Sequence, residues 1–127
     1  MIDHVSIAVR DLEAAARFYE PVLAAIGYAK LVARPATVGF GKRYPEFWLN
    51  RRPGMDRVAD DSGVHVCLRV RGTEAVDAFH AAALAAGGRS DGAPGARQAS
   101  AEGYYAAFIR DPDGNRIEAV TFLAVGA

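Results

Sequence analysis

An internal repeat constrains this chain more than any other feature of its sequence. Residues 4–28 read HVSIAVRDLEAAARFYEPVLAAIGY and residues 65–89 read HVCLRVRGTEAVDAFHAAALAAGGR, with eleven identities in 25 aligned positions. In both copies, alternating apolar and polar residues precede apolar residues at helical spacing, which predicts a strand followed by a helix. The chain is therefore expected to consist of two similar halves, whose equivalent positions an approximate two-fold symmetry brings together.

Length and charge limit the classes of protein that need to be considered. A chain of 127 residues is one ordinary domain, divided here into a first module (residues 1–55), a linker (56–62) and a second module (63–127). Its 15 basic and 15 acidic residues cancel, so no nucleic-acid or membrane partner is expected. No apolar stretch approaches the ~20 residues that span a bilayer, and the first residues are expected to form a strand rather than a leader. With a single cysteine, Cys67, a cytoplasmic location is expected.

The first half is predicted to have the order β-α-β-β-β. A strand is expected over residues 3–10, followed by a helix that Asp11 caps and Gly27 ends. Pro21 is expected to kink this helix or split it in two. Three short strands are then predicted over residues 30–34, 37–42 and 46–51.

The second half follows the same plan. Thr73 is the expected N-cap of its helix, and residues 90–101, rich in Gly, Ala, Pro and Ser, are expected to form a loop. Two strands are predicted over residues 104–110 and 116–123. The sequence DPDGN between them is typical of a hairpin turn.

The alternation also assigns side chains to the two faces of each strand. The apolar residues of each first strand must pack under the following helix, so His4 and His65 point to the opposite, helix-free face. Aligning RIEA of the second half with EFWL of the first makes Trp48 the counterpart of Glu118. Four equivalent positions of one cleft are therefore expected to carry His4, Trp48, His65 and Glu118.

His4, His65 and Glu118 are the candidate metal ligands. Two neutral imidazoles and one carboxylate bind a divalent first-row ion on one side and leave positions for water and substrate. Each residue alone has an ordinary explanation, since a strand histidine is usually structural or exposed and a lone glutamate is usually a solvated charge. Their joint occurrence at repeat-equivalent positions favours a metal site.

Three segments of the chain resemble a known family. Residues 3–28, HVCLRV in the second half and above all DPDGNRIEAV are similar to the vicinal oxygen chelate superfamily. This superfamily includes glyoxalase I, extradiol dioxygenases, fosfomycin-modifying thiol transferases and bleomycin-resistance binding proteins. The resemblance implies an α+β fold in which two repeated βαβββ modules form a curved mixed sheet, with a concave cleft and with helices on the outer face.

The resemblance also implies a metal at the bottom of the cleft, bound by a small molecule through two adjacent oxygens. On that pattern His4, His65 and Glu118 match the ligands of Mn, Fe, Co, Ni or Zn. Glyoxalase I usually has an acidic fourth ligand where this chain has Trp48, so three ligands are expected. The family often pairs the first module of one chain with the second module of its partner, which implies a homodimer with shared metal sites.

The residues expected to contact the substrate lie on the helix-free faces of the strands: Trp48, Cys67, Tyr104 and Phe108. The face of the strand that carries Tyr104 and Phe108 lacks the basic groups expected around a phosphonate, which disfavours fosfomycin modification. Four arginines border the strands of the first half: Arg34, Arg43, Arg51 and Arg52. They are predicted to be solvated at the rim of the cleft, and the alternative is that they bind a substrate carboxylate.

The implied function is that of a metal-dependent enzyme acting on a small molecule with two adjacent oxygens. Its reaction class stays open between lyase or isomerase, dioxygenase and thiol transferase. The alternative from another class is a metal-free small-molecule binding protein of the bleomycin-resistance type.

Overall fold

The computed structural model describes residues 1–98 and 102–124. The chain forms two modules with the same order of elements. The first module contains β1 (Val5–Val9), α1 (Leu12–Ala24), β2 (Ala29–Ala33), β3 (Thr37–Gly41) and β4 (Pro45–Arg51). The second module contains β5 (His65–Arg69), α2 (Thr73–Ala85), β6 (Arg89–Ala96), β7 (Tyr104–Arg110) and β8 (Arg116–Phe122).

Each module has one four-stranded mixed sheet. The strand orders are β1-β4-β3-β2 and β5-β8-β7-β6, and in each sheet the first strand is parallel to the last strand of its module. The other pairs are antiparallel. The α+β class and the repeated βαβββ modules are thus confirmed, with two sheets that are not joined edge to edge among the described residues.

The two helices pack against their own sheets and against each other, so the modules share one hydrophobic core. Val9 of β1 and Phe79 of α2 are both completely buried in it. Burying a side chain of this size stabilises the fold by about 1.5–3 kcal/mol. The helices cover only one face of each sheet, and the opposite face, called here the open face, carries His65. His4 lies in the segment just before β1 and is exposed. No helix in the described part of the chain is long and apolar enough to cross a membrane.

The two ends of α1 lie where the sequence predicts them, but the predicted split at Pro21 is absent. Asp11 accepts a hydrogen bond from the Ala14 amide at 3.0 Å, and Gly27, at φ +86°, lies just beyond the last turn. Pro21 does not split the helix, which runs without interruption from Leu12 to Ala24. Proline removes one bond, to the carbonyl of Arg17, and both residues are exposed, so water can hydrate that carbonyl.

The expected cap of α2 is wrong. Gly72 is the N-cap, Thr73 is the first helical residue, and no side chain caps this end. Gly72 has φ +85°, a conformation that favours glycine, and its amide donates to Thr121 Oγ1 at 3.0 Å. The backbone at this turn is therefore held by the Thr121 hydroxyl of the neighbouring strand β8 rather than by the hydroxyl of Thr73.

The loop expected over residues 90–101 is also wrong for most of its length, because residues 89–96 form β6. Residues 99–101 of that loop lie outside the described residues. β6 pairs with β7 through two register shifts, so its glycines and proline are accommodated at irregular positions. Gly92 is needed there, since a Cβ atom would lie 2.9 Å from the ring of Phe108.

The turn between β7 and β8 joins the two modules within the chain. Asp111 is 3% exposed, accepts a 2.6 Å hydrogen bond from Tyr19 of α1, and also accepts from the backbone amides of Asp113 and Asn115. Arg10, just after β1, donates to Asp113 at 2.7 Å. Burial raises the pKa of Asp111 above its usual value, although the hydrogen bonds from Tyr19 and Asn115 act in the opposite direction.

Candidate metal and substrate site

The centre of the candidate site is the contact between His65 and Glu118 on the open face of the second sheet. His65 Nε2 lies 3.1 Å from Glu118 Oε1. The Glu118 side chain is 3% exposed and that of His65 is 47% exposed. The carboxylate therefore lies at the floor of the site and the imidazole at its rim.

Tyr104 of β7 holds the second oxygen of this carboxylate. Its hydroxyl donates a hydrogen bond to Glu118 Oε2. Desolvation raises the pKa of Tyr104, and the hydrogen bond to Glu118 raises it further, so the phenol stays protonated and remains a donor. The orientation of Glu118 is thus fixed from both sides, by His65 and by Tyr104.

Cys67 lies beside this group, on the open face. It pairs with Glu118 in the sheet register, and its Sγ is 3.9 Å from the Tyr104 hydroxyl. The residue is exposed overall, but its thiol faces Tyr104 and Glu118. Burial of the thiol and the nearby carboxylate raise the pKa of Cys67 to about 11. At neutral pH it is therefore a thiol, suited to contact a ligand and poorly suited to act as a nucleophile.

Trp48 occupies the corresponding position in the first sheet. It pairs with Ser6, while Glu118 pairs with Cys67, and Ser6 and Cys67 are equivalent in the repeat. The register thus agrees with the alignment that made Trp48 the counterpart of Glu118. The indole packs over Gly39, where a Cβ atom would lie 2.9 Å from the ring, and Arg34 lies 5.6 Å from the ring centre.

His4 lies just before β1, the first strand of the other sheet, and does not join His65 and Glu118 within one chain. Its side chain is 52% exposed, and its Nδ1 lies 2.7 Å from Asp3 Oδ1. Across residues 1–98 and 102–124, no three His, Cys, Asp or Glu side chains are grouped to hold a metal ion. The chain alone therefore brings together two of the three predicted ligands, an imidazole and a carboxylate, which are donors that fit a first-row divalent ion.

Basic groups that the sequence reasoning missed lie on the same open face. Phe108 pairs with Glu118 in the register, and the guanidinium of Arg97 lies 5.3 Å from the Phe108 ring centre. Arg69 lies 4.5 Å from the ring centre of Phe122. The open face therefore carries basic groups that come from outside β7. The alternation of β5 pointed to Arg69, whereas Arg97 lies within the segment expected to be a loop, just after β6, and had no signal of its own.

The fold is an α+β fold built from two βαβββ modules. A histidine and a carboxylate form a pair on the helix-free face of the second sheet. The family model described as the Glyoxalase/Bleomycin resistance protein/Dioxygenase superfamily matches residues 1–119. The chain belongs to this superfamily, which confirms the resemblance seen in its sequence.

Solved structures of the same family support the fold. The chain is similar to a glyoxalase/bleomycin resistance protein from Albidiferax ferrireducens T118, with 30% identity, a TM-score of 0.83, and 95% of this chain and 98% of that chain covered. A glyoxalase/bleomycin resistance protein/dioxygenase family enzyme from Burkholderia phytofirmans PsJN has 22% identity, a TM-score of 0.72, and coverage of 96% and 98%. A glyoxalase-related enzyme from Fulvimarina pelagi has 20% identity, a TM-score of 0.73, and coverage of 100% and 93%. A comparison with curated proteins gave no match.

Proposed function

We propose that this protein is a divalent-metal-dependent enzyme acting on a small molecule that offers two adjacent oxygens. The observation that carries the proposal is the 3.1 Å contact between His65 Nε2 and Glu118 Oε1. Glu118 is 3% exposed, and none of the lysines or arginines in the described ranges lies within 4.0 Å of its carboxylate. Desolvating a carboxylate without a cation costs several kcal/mol, and a divalent ion bound at the pair would offset that cost.

The third ligand in this proposal is His4 of a second copy of the chain. His4 lies just before β1 of a separate sheet, and its imidazole is half exposed. A homodimer that places the first module of one copy against the second module of the other would bring His4 to His65 and Glu118. The ion would be Mn, Fe, Co, Ni or Zn, and it would supply Lewis-acid polarisation of the two substrate oxygens.

The other residues of the open face orient the substrate. Tyr104 fixes Glu118 through Oε2, so the carboxylate presents Oε1 to the site. Phe108 and Cys67 flank the carboxylate in the sheet register, and Trp48 provides an apolar wall from the other module. The reaction is a lyase or isomerase step, a dioxygenation or a thiol transfer, and we place it in the cytoplasm.

A second candidate function is metal-free binding of a small molecule. The two stacked pairs on the open face, Arg97 with Phe108 and Arg69 with Phe122, favour it. A guanidinium held over an aromatic ring presents charge and an apolar surface together, which is enough to bind an aromatic or anionic ligand. This surface needs neither His65 nor Glu118.

Metal analysis separates the two functions. After loading with Mn, Co or Zn and gel filtration, we expect about one ion per chain in the wild-type protein. Glu118→Gln keeps the shape of the side chain and removes the anionic donor, so this variant should lose the ion. Glu46→Gln, a change on β4 outside the proposed ligand set, is the matched control and should keep it. Ions retained by Glu118→Gln, or absent from the wild type, would overturn the metal site.

A further inference from the structure

A cavity of about 670 Å³ lies in the first module, away from the His65 and Glu118 pair. It shares no lining residue with the His65 and Glu118 pair. Its walls are α1, the segment that follows β2, and the ends of β1 and β4. The volume is in the range of cavities that bind small organic molecules.

The backbone fixes the segments that line this cavity. The Arg34 amide donates to the Thr37 carbonyl at 2.8 Å, and the Arg51 amide donates to the Ala36 carbonyl at 2.9 Å. Arg51 is also the last residue of β4, in register with Val9 of β1. Arg34 and Arg51 therefore start from rigid positions at the same end of the first sheet, where β2 and β4 stop.

Basic side chains around the cavity exceed acidic ones by five to three. Two of the five already have carboxylate partners, since Arg10 bonds Asp113 at 2.7 Å and Lys30 Nζ lies 3.5 Å from Glu20. The other three are Arg17, Arg34 and Arg51. In the described part of the chain, no carboxylate oxygen lies within 4.0 Å of these three guanidinium groups.

The cavity also has an apolar floor. Leu12 of α1 is 8% exposed and Val38 of β3 is 5% exposed. Ala16, one turn after Leu12 on α1, lines the same wall. An occupant with an apolar part would gain roughly 25 cal/mol for each Å² of apolar surface it buries here.

We propose that this cavity is a binding site for a small organic anion. Its phosphate or carboxylate group is held by Arg17, Arg34 and Arg51, and its apolar part lies on Leu12, Ala16 and Val38. Guanidinium groups form paired, charge-assisted hydrogen bonds to either anion. The cavity is lined by none of the proposed metal ligands, although its Arg34 also lies 5.6 Å from the Trp48 ring centre, so the proposal stands whether or not the protein binds a metal.

The test is an NMR titration of the full-length protein at low salt with phenyl phosphate, benzoate and inorganic phosphate. We expect saturable shifts of the Leu12, Ala16 and Val38 amides with at least one of the aromatic probes. Whichever of phenyl phosphate and benzoate binds more tightly identifies the preferred anionic group. Inorganic phosphate should bind more weakly because it lacks an apolar part. Arg17→Gln and Arg34→Gln should each weaken binding about tenfold.

Arg71→Gln is the matched control. Arg71 is an exposed residue just after β5 and lines none of the cavity. Its loss should leave the titration unchanged. The proposal is overturned if neither aromatic probe gives saturable shifts, if Arg71→Gln weakens binding as much as Arg34→Gln, or if inorganic phosphate binds as tightly as phenyl phosphate.

Discussion

Trp48 and Glu118 lie at the same position of the two sheets, each opposite the second residue after the repeated histidine. One module therefore carries an indole where the other carries a buried carboxylate. The two modules keep the same strands and helices but differ at the position that matters most for binding an ion. The symmetry of the fold and the asymmetry of the side chains together define the site.

Replacing Trp48 with glutamate should restore the symmetry. If the proposed dimer forms, Trp48→Glu adds a fourth donor opposite Glu118, so metal binding should tighten and the preferred ion should change. Competition with a chelator of known affinity measures both effects. The control is Asn50→Glu, which adds the same charge two residues along the same face of β4. Equal effects of the two substitutions would mean that Trp48 is not at the metal position.

The hydrogen bond between Tyr19 and Asp111 should contribute to folding. Tyr19 is 1% exposed, and its hydroxyl donates to Asp111 at 2.6 Å across the two modules. Tyr19→Phe leaves part of a buried carboxylate without its donor, so we expect a loss of about 1–3 kcal/mol in the free energy of unfolding. Tyr105→Phe is the control, because its bond to Asp77 is exposed and should matter little. Equal losses measured by chemical denaturation would contradict the buried role of Tyr19.

Asp111 should also give stability a specific dependence on pH. Burial raises its folded-state pKa above the unfolded value of 3.8, so the folded state binds its proton more tightly. The resulting stabilisation is complete below the unfolded pKa and is lost as the pH rises through the folded pKa. The difference between the free energies of unfolding of the wild type and of Asp111→Asn should therefore fall as the pH rises through this window, and then level off. A difference that increases with pH would show that the pKa of Asp111 is lowered.

Much of the fold could be predicted because the same pattern, a strand followed by a helix, occurs twice in the sequence. The faces of β1 and β5 and the positions of both helices follow from alternation and helical spacing. β6 could not be predicted, because its glycines and proline are typical of a loop and only pairing with β7 makes it a strand. The split of α1 at Pro21, one of the two outcomes expected there, does not occur, since tertiary packing of α1 outweighs one missing hydrogen bond.

The candidate site was predictable in part. Register follows from the repeat, so His65, Cys67 and Glu118 could be assigned to one face before the fold was known. Tyr104 and Glu118 lie on the two strands of one hairpin but are not opposite each other in its register, so the strand pattern alone does not predict the bond between them. The role of Asp111 in joining the modules was hidden because its sequence, DPDGN, is explained by the turn alone.

The shared metal site has a direct test in mixed dimers. Under this arrangement, His4→Ala and Glu118→Ala each destroy every site in their own homodimers. A mixed dimer of the two has one site with both defects and one intact site, since the Glu118→Ala chain supplies His4 and the His4→Ala chain supplies His65 and Glu118. Refolding equal amounts together should restore metal binding to roughly a quarter of the wild-type level.

The matched control is a mixture of His65→Ala with Glu118→Ala. These two residues contact each other within one chain, at 3.1 Å. Every site in their mixed dimer therefore lacks one of the pair, and no binding should return. Recovery with the first mixture and not with the second requires His4 to come from the partner. If neither mixture recovers although mixed dimers are present by native mass spectrometry, the ligands do not come from two chains, and the shared site is overturned.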